Sequence, residues 1–236
     1  GRWAAAYAAG LLTKRDAMGI SYYRGCVTNL ARGETGQSGA MLAASIPFAT
    51  AVGFCSEPQF NGCITVAASN SPSSVTLSGD KDAISEMKEY LAAKQIQARA
   101  LQVDTAYHSH HMHACAEPYL RRLKELGVTV QTQSADQQCR WYSSVRQNTD
   151  ILDNPLGAEL EGQYWIDNLT QPVLFSQAVS SAVECNAAGF TVAIEVGPHG
   201  TLRGPVNQTL KQSASNSSSM AYTACLSRGS DAESTS

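Results

Sequence analysis

Residues 64–93 read ITVAASNSPSSVTLSGDKDAISEMKEYLAA, and this stretch decides half of the fold. Ile64–Ser69 and Ser74–Ser78 are short runs of the kind that forms strands, and Asn70-Ser71-Pro72 supplies a turn between them. From Asp82 to Lys94, Ala83, Ile84, Met87 and Leu91 recur on one face at helical spacing. Strand, turn, strand, helix is the inner part of a βαββαβ unit. Read outward, the sequence supplies the rest: a strand at Ala40–Ser45, a helix near Pro47–Cys55, and a closing strand at Gln97–Val103. Residues 37–104 are therefore expected to form a ferredoxin-like small subdomain.

The flanks belong to something larger. Residues 2–9 (RWAAAYAA) favour helix, and Gly10 ends them. Thr13 with Asp16 fits a capping box opening a second helix, whose apolar positions are Ile20, Tyr23, Val27 and Leu30. Residues 33–38 (GETGQS) break the chain before the small subdomain. Beyond residue 104, Pro118 suits the first turn of a helix carrying Leu120, Leu123 and Leu126. Short buried strands are expected at Val128–Val130, Trp141–Val145 and Thr191–Val196, and a helix from Thr201 to Lys211. Residues 212–219 read as a loop and 229–236 as a linker. Residues 1–36 and 105–228 would then make one large α/β subdomain that hosts the smaller one.

Composition narrows the function. The 236 residues are 43% hydrophobic and 16% charged, with 17 basic and 20 acidic side chains for a net charge of −3. That balance suits a globular core and offers no basic surface for nucleic acid. No apolar run approaches the ~20 residues of a membrane helix. The seven cysteines are odd in number and contain no C-x-x-C, which argues against a disulfide framework or a structural zinc site. Reduced thiols in the cytoplasm are the expectation.

Four of the five histidines fall in Tyr107-His108-Ser109-His110-His111-Met112-His113. The patch reads as a polar loop, as a metal site, or as one catalytic histidine at a strand end. Familiar metal motifs would place acidic or cysteine ligands nearby, and none is. Arg24 lies on the flank of its helix's apolar stripe. It is either a half-exposed arginine whose stem covers the core, or a guanidinium aimed inward at a carboxylate. Asn168, Asn70 and His199 each fit a cap, a turn or a helix start as well as a site.

Several strings in a fixed order go further: AAAYAAGLLTKRDA (4–17), YYRG (22–25), NSPSSVTLSGD (70–80), VDTAYHSHHM (103–112), YWIDNLTQPVLFSQAV (164–179), EVGPHGTLRGPVNQTL (195–210) and CLSRG (225–229). Together they resemble the acyltransferase domains of polyketide synthases, closest to the fungal iterative, highly reducing type, over residues 4 to 229. The resemblance implies an α/β-hydrolase-like large subdomain with a ferredoxin-like insertion. It implies transfer of malonyl from malonyl-CoA to the phosphopantetheine of an acyl-carrier protein. No metal and no cofactor of the domain's own are implied, and ketosynthase and dehydratase domains would be neighbours. His108 falls on the family's catalytic histidine, Arg24 on its malonyl-binding arginine, and Asn168 on the group that orients the histidine. Tyr107 would shape the acyl pocket, and Asn70 would join the substrate-binding residues.

The family's nucleophile is a serine in G-H-S-x-G, two residues before the glycine that opens the first helix. Here Gly1-Arg2-Trp3 stand ahead of that helix, and no such serine is present. Gly1 is either the elbow's last glycine, or the three residues are foreign. The expectation is a front-truncated domain, inactive alone, with a noncatalytic docking piece as the rival reading.

Overall fold

The computed structural model describes residues 2–132, 139–146, 157–186, 189–213 and 220–226. The expected loop at 212–219 and linker at 229–236 lie mostly or wholly outside them. The chain opens with α1 (Arg2–Ala8) and α2 (Lys14–Val27), separated by Gly10 in a left-handed conformation (φ 74°). Thr13 caps α2 as its spacing predicts: its Oγ1 accepts from the Asp16 amide and donates to the Asp16 carboxylate at 2.7 Å. Ile20 and Val27 are buried and Tyr23 packs beside them. Leu30 does not join that stripe, because the helix tightens into a 3-10 turn (Thr28–Leu30) and leaves it 44% exposed.

The small subdomain follows the sequence closely. It runs β1 (Gly39–Ala44), α3 (Phe48–Cys55), β2 (Ile64–Ser71), β3 (Ser74–Asp80), α4 (Lys81–Ala93) and β4 (Ala98–Ala100). Strand order 4-1-3-2 with antiparallel neighbours is the ferredoxin-like arrangement. Ile84, Met87 and Leu91 bury one face of α4 against Leu42, Val66, Val75 and Leu77 of the sheet. Asn70 and Ser71 extend β2 rather than turn it, so the tight turn is Pro72-Ser73. The sheet also gains a fifth strand from outside the unit: β5 (Val173–Leu174) runs parallel to β2.

The large subdomain is mostly helical among the described residues. Its core joins α1 and α2 to α5 (His113–Leu126) and α6 (Gln163–Thr170). Pro118 sits inside α5, not in its first turn, because the helix begins five residues earlier, behind a 3-10 turn at His110–Met112. The ring costs one bond to the Ala114 carbonyl near the helix start. Gly127 (φ 66°) closes α5 from the left-handed region. No strand forms at 128–130, and 141–145 holds only an isolated bridge at Tyr142. Trp141 instead stacks on Trp165, and Tyr164 meets both rings edge to face. A second cluster gathers α7 (Phe175–Glu184) and α8 (Arg203–Gln212) beside β6 (Val192–Glu195) and β7 (Ala221–Ala224), which pair in parallel. No described helix is long and apolar enough to cross a membrane.

Candidate active site

Arg2, Arg24, His108 and Asn168 meet where α1, α2 and α6 face the segment that leaves the small subdomain. Asn168 lies on the buried face of α6 and is 2% exposed. Gln171 follows at the helix C-cap, and Pro172 forbids it a helical backbone, so it extends (ψ 160°). That extension leaves the Gln171 carbonyl free to meet the His108 imidazole, with Nδ1 3.1 Å away. A carbonyl only accepts, so Nδ1 carries the proton and Nε2 holds a free lone pair. Asn168 was expected to orient the histidine; the structure gives that contact to the Gln171 backbone.

Asn168 instead faces cations. Arg24 Nη1 on α2 donates to Asn168 Oδ1 at 2.9 Å, and Arg2 Nη1 donates to the Asn168 carbonyl at 3.4 Å. Arg2 Nε also donates to Ser144 Oγ at 2.7 Å, and the Arg24 guanidinium lies 5.9 Å from the Trp3 ring centroid. Arg2 and Trp3 thus contact the site residues. Because an arginine cannot accept, its bond fixes the amide of Asn168: Oδ1 toward Arg24, Nδ2 away. Nδ2 is buried and has no partner among the described residues. Among those residues neither Arg2 nor Arg24 pairs with a carboxylate.

The electrostatics follow from this packing. Burial, then the charges of Arg2 and Arg24, push the His108 pKa from 6.5 down to about 3, against a small upward pull from Gln171. The imidazole is therefore neutral near pH 7 and is a base through Nε2. Burial also lowers the Arg24 pKa, opposed by the phenols of Tyr119 and Tyr107 and the Cys115 thiol. Burial, the largest influence, takes Arg2 to about 10. Two half-buried guanidiniums and a buried amide donor, with no carboxylate and no acceptor for that donor among the described residues, make a receptor for an anion. Tyr107 packs at the edge of this site against the large core.

Two expectations fall elsewhere. Asn70 donates from Nδ2 to Thr76 Oγ1 at 3.0 Å across the small sheet and makes no hydrogen bond to Arg24, His108 or Asn168. His110 and His111 do find an acid, one the sequence hid about 30 residues upstream. His111 Nε2 and His110 Nε2 lie 2.6 and 3.1 Å from the same oxygen of Asp80. These three side chains have a metal-ligating composition. Two ligands about 2.0 Å from a tetrahedral zinc stand about 3.3 Å apart, so 2.6 Å is the spacing of a hydrogen bond. A cleft of about 560 Å³ between α4 and the connecting segments, lined in part by Arg32, Lys81 and Lys88, contains none of the site residues.

Residues 1–235 match the acyl transferase domain family. The chain belongs to that family. This acyltransferase is 51% identical over 234 residues to the hybrid PKS-NRPS synthetase iliA of Neonectria sp. (strain DH2), covering 99% of the chain and 6% of that protein. It is 48% identical over 235 residues to the reducing polyketide synthase grgA of a Penicillium species, covering 98% of the chain and 9% of that protein. The acyltransferase thus spans under a tenth of the curated relatives it matches. The acyltransferase domain from the second module of the salinomycin polyketide synthase superposes with a TM-score of 0.79 at 26% identity, over 97% of this chain and 48% of that one. A Clostridium perfringens malonyl CoA-acyl carrier protein transacylase shares the fold, with a TM-score of 0.77 at 20% identity over 96% of this chain and 65% of that one.

Arg24, Tyr107, His108 and Asn168 were legible as site candidates. Gln171, Arg2 and Asp80 were not. Gln171 acts through its backbone, and the one sequence sign of it is the proline that follows.

Proposed function

We propose that this acyltransferase moves a malonyl group from coenzyme A to the phosphopantetheine thiol of an acyl-carrier protein within a polyketide synthase, beside ketosynthase and dehydratase domains. The supporting observation is the half-buried Arg24 bonded to the buried Asn168, a carboxylate receptor set beside a neutral histidine. The 236 residues contain no G-x-S-x-G, so the reaction takes its serine from a G-H-S-x-G segment ahead of residue 1. His108 Nε2 accepts that serine's proton as its oxygen attacks the thioester carbon. The proton then leaves on the departing coenzyme A thiol, and an acyl-serine ester remains. In the second half the phosphopantetheine thiol gives its proton to Nε2 and attacks the ester, and the serine recovers the proton as it leaves. Metal chemistry has no part in this reading. The 236 residues alone form no acyl-enzyme.

Arg24 sets the substrate. Malonyl differs from acetyl by a carboxylate, which a guanidinium meets with parallel hydrogen bonds that a lysine cannot reproduce. Charge-assisted bonds contribute roughly 1.5–3 kcal/mol, so one arginine accounts for a preference of more than about tenfold. In a chain carrying the G-H-S-x-G segment, Arg24→Ala should lower malonyl loading of the carrier protein sharply and leave acetyl loading equal or higher. Arg24→Lys should restore part of the preference. An unchanged malonyl-to-acetyl ratio in Arg24→Ala would refute the assignment.

A further inference from the structure

Asp80 has a choice of hydrogen bonds and makes an unusual one. It stands at the N-cap of α4, where an aspartate ordinarily accepts from its own helix's first amides, yet its side chain makes no such bond. One oxygen instead takes both imidazoles of the 3-10 turn His110–Met112, at 2.6 Å from His111 and 3.1 Å from His110. The two rings stand edge to face, 4.6 Å apart, and His111 is 1% exposed. The carboxylate belongs to the small subdomain and the turn to the large one.

The turn in turn fixes the residue before it. Ser109 caps the turn by accepting the His111 amide on Oγ, and the same hydroxyl donates to the Ala106 carbonyl at 2.7 Å. The His111 carbonyl accepts from the Arg32 amide at 3.3 Å. Between Ala106 and Ser109 sits His108 with φ 62°, a left-handed backbone that a side chain adopts only where its surroundings over-determine it. Burial alone would raise the Asp80 carboxyl, but the bonds from His111 and then His110 outweigh it and hold it below its ordinary value. Asp80 is thus ionised near neutral pH and accepts from both rings.

We propose that Asp80 is a positioning residue: by gripping His110 and His111 it holds the turn that keeps His108 in its left-handed backbone, with Nδ1 on the Gln171 carbonyl and Nε2 free. The inference rests on the reading of His108 as the base, and it links the small subdomain to the chemistry of the large one. A displaced base loses rate far more than affinity, since misplacement by about 1 Å can cost 10²-fold.

The test uses two variants, Asp80→Ala and Asp80→Asn, the second keeping one acceptor oxygen and an N-cap in case the first does not fold. Nitrogen-detected NMR of the histidine side chains of the 236-residue chain reads the tautomer of His108 directly. The wild type should show one neutral form protonated at Nδ1, persisting well below pH 6. Asp80→Ala should show a mixture of tautomers that titrates closer to 6.5, with Asp80→Asn between. In a chain with the G-H-S-x-G segment, kcat for malonyl transfer should fall about tenfold or more in Asp80→Ala while KM for malonyl-CoA stays within about twofold. If both variants fold and keep the wild-type tautomer and kcat, the proposal is wrong. If one equivalent of zinc binds the wild type at micromolar concentration and neither variant, the cluster is a metal site and the proposal also falls. A wild type with the expected tautomer but no transfer would overturn the functional reading and leave the positioning role standing.

Discussion

His108 is half-buried near the guanidiniums of Arg2 and Arg24, and that setting has a thermodynamic signature. Its pKa stands near 3 in the folded chain against 6.5 ordinarily. Below pH 6.5 the unfolded chain takes up a proton that the folded chain refuses until about pH 3. The folded state therefore has its full stability from this group above pH 6.5 and loses it progressively as pH falls toward 3. His108→Asn removes the titration, and asparagine tolerates the left-handed backbone. Urea midpoints at pH 7.5, 6.0 and 4.5 should fall less steeply in the variant than in wild type. Equal slopes would mean that His108 is not held neutral. The size of this effect is not legible in the sequence. The string AYHSHHM marked His108 as the residue to watch, but its environment comes from Arg2, Arg24 and Gln171, which are remote in sequence and brought in by three different helices.

At the scale of elements, Gly39 shows how closely the subdomains are fitted. It opens β1, and a Cβ there would stand 2.4 Å from the Ala106 amide nitrogen and 2.7 Å from the Ala106 side chain. Ala106 accepts the Ser109 hydroxyl, so this contact presses on the same segment that carries His108. Gly39→Ala must shift backbone on one side or the other, and overpacking of this kind costs about 1–3 kcal/mol. The expected outcome is a lower urea midpoint together with weaker transfer. A variant as stable and as active as wild type would show that the two segments part easily. The elements themselves were legible where local signals agreed. Thr13 and Asp16 capped α2 as written, and the apolar face of α4 set its boundaries within a residue. They failed where tertiary packing decides. Val128–Val130 and Trp141–Val145 have strand-like composition but take up no ladder, since side-chain packing and not propensity places Trp141. Asp80 escaped notice because cap and ligand look alike in sequence, and only the fold brings His111 to it.

Among the described residues, three cores with separate memberships are joined in part at a few polar points. Asp80 meets the histidine pair, Ser71 Oγ donates to Gln208 Oε1 at 2.6 Å, and β5 pairs with β2. The site beside this junction holds a neutral imidazole with an oriented tautomer and two guanidiniums without a carboxylate among the described residues, and the 236 residues contain no G-x-S-x-G. A base without a nucleophile does little: in a serine hydrolase, removing the serine costs about 10⁶ in rate. Incubated with malonyl-CoA, the 236-residue chain should therefore show no stoichiometric adduct by intact-mass measurement. The same residues preceded by a G-H-S-x-G segment should gain one malonyl group, mapped by peptide digestion to that serine. His108→Ala in the longer chain should slow its appearance by at least about 10²-fold, the range of general-base catalysis. His113→Ala should not, because His113 begins α5 and makes no hydrogen bond to Gln171, Arg24 or Asn168. A covalent malonyl adduct on any defined residue of the 236 would place the nucleophile inside them and overturn this division of the active site.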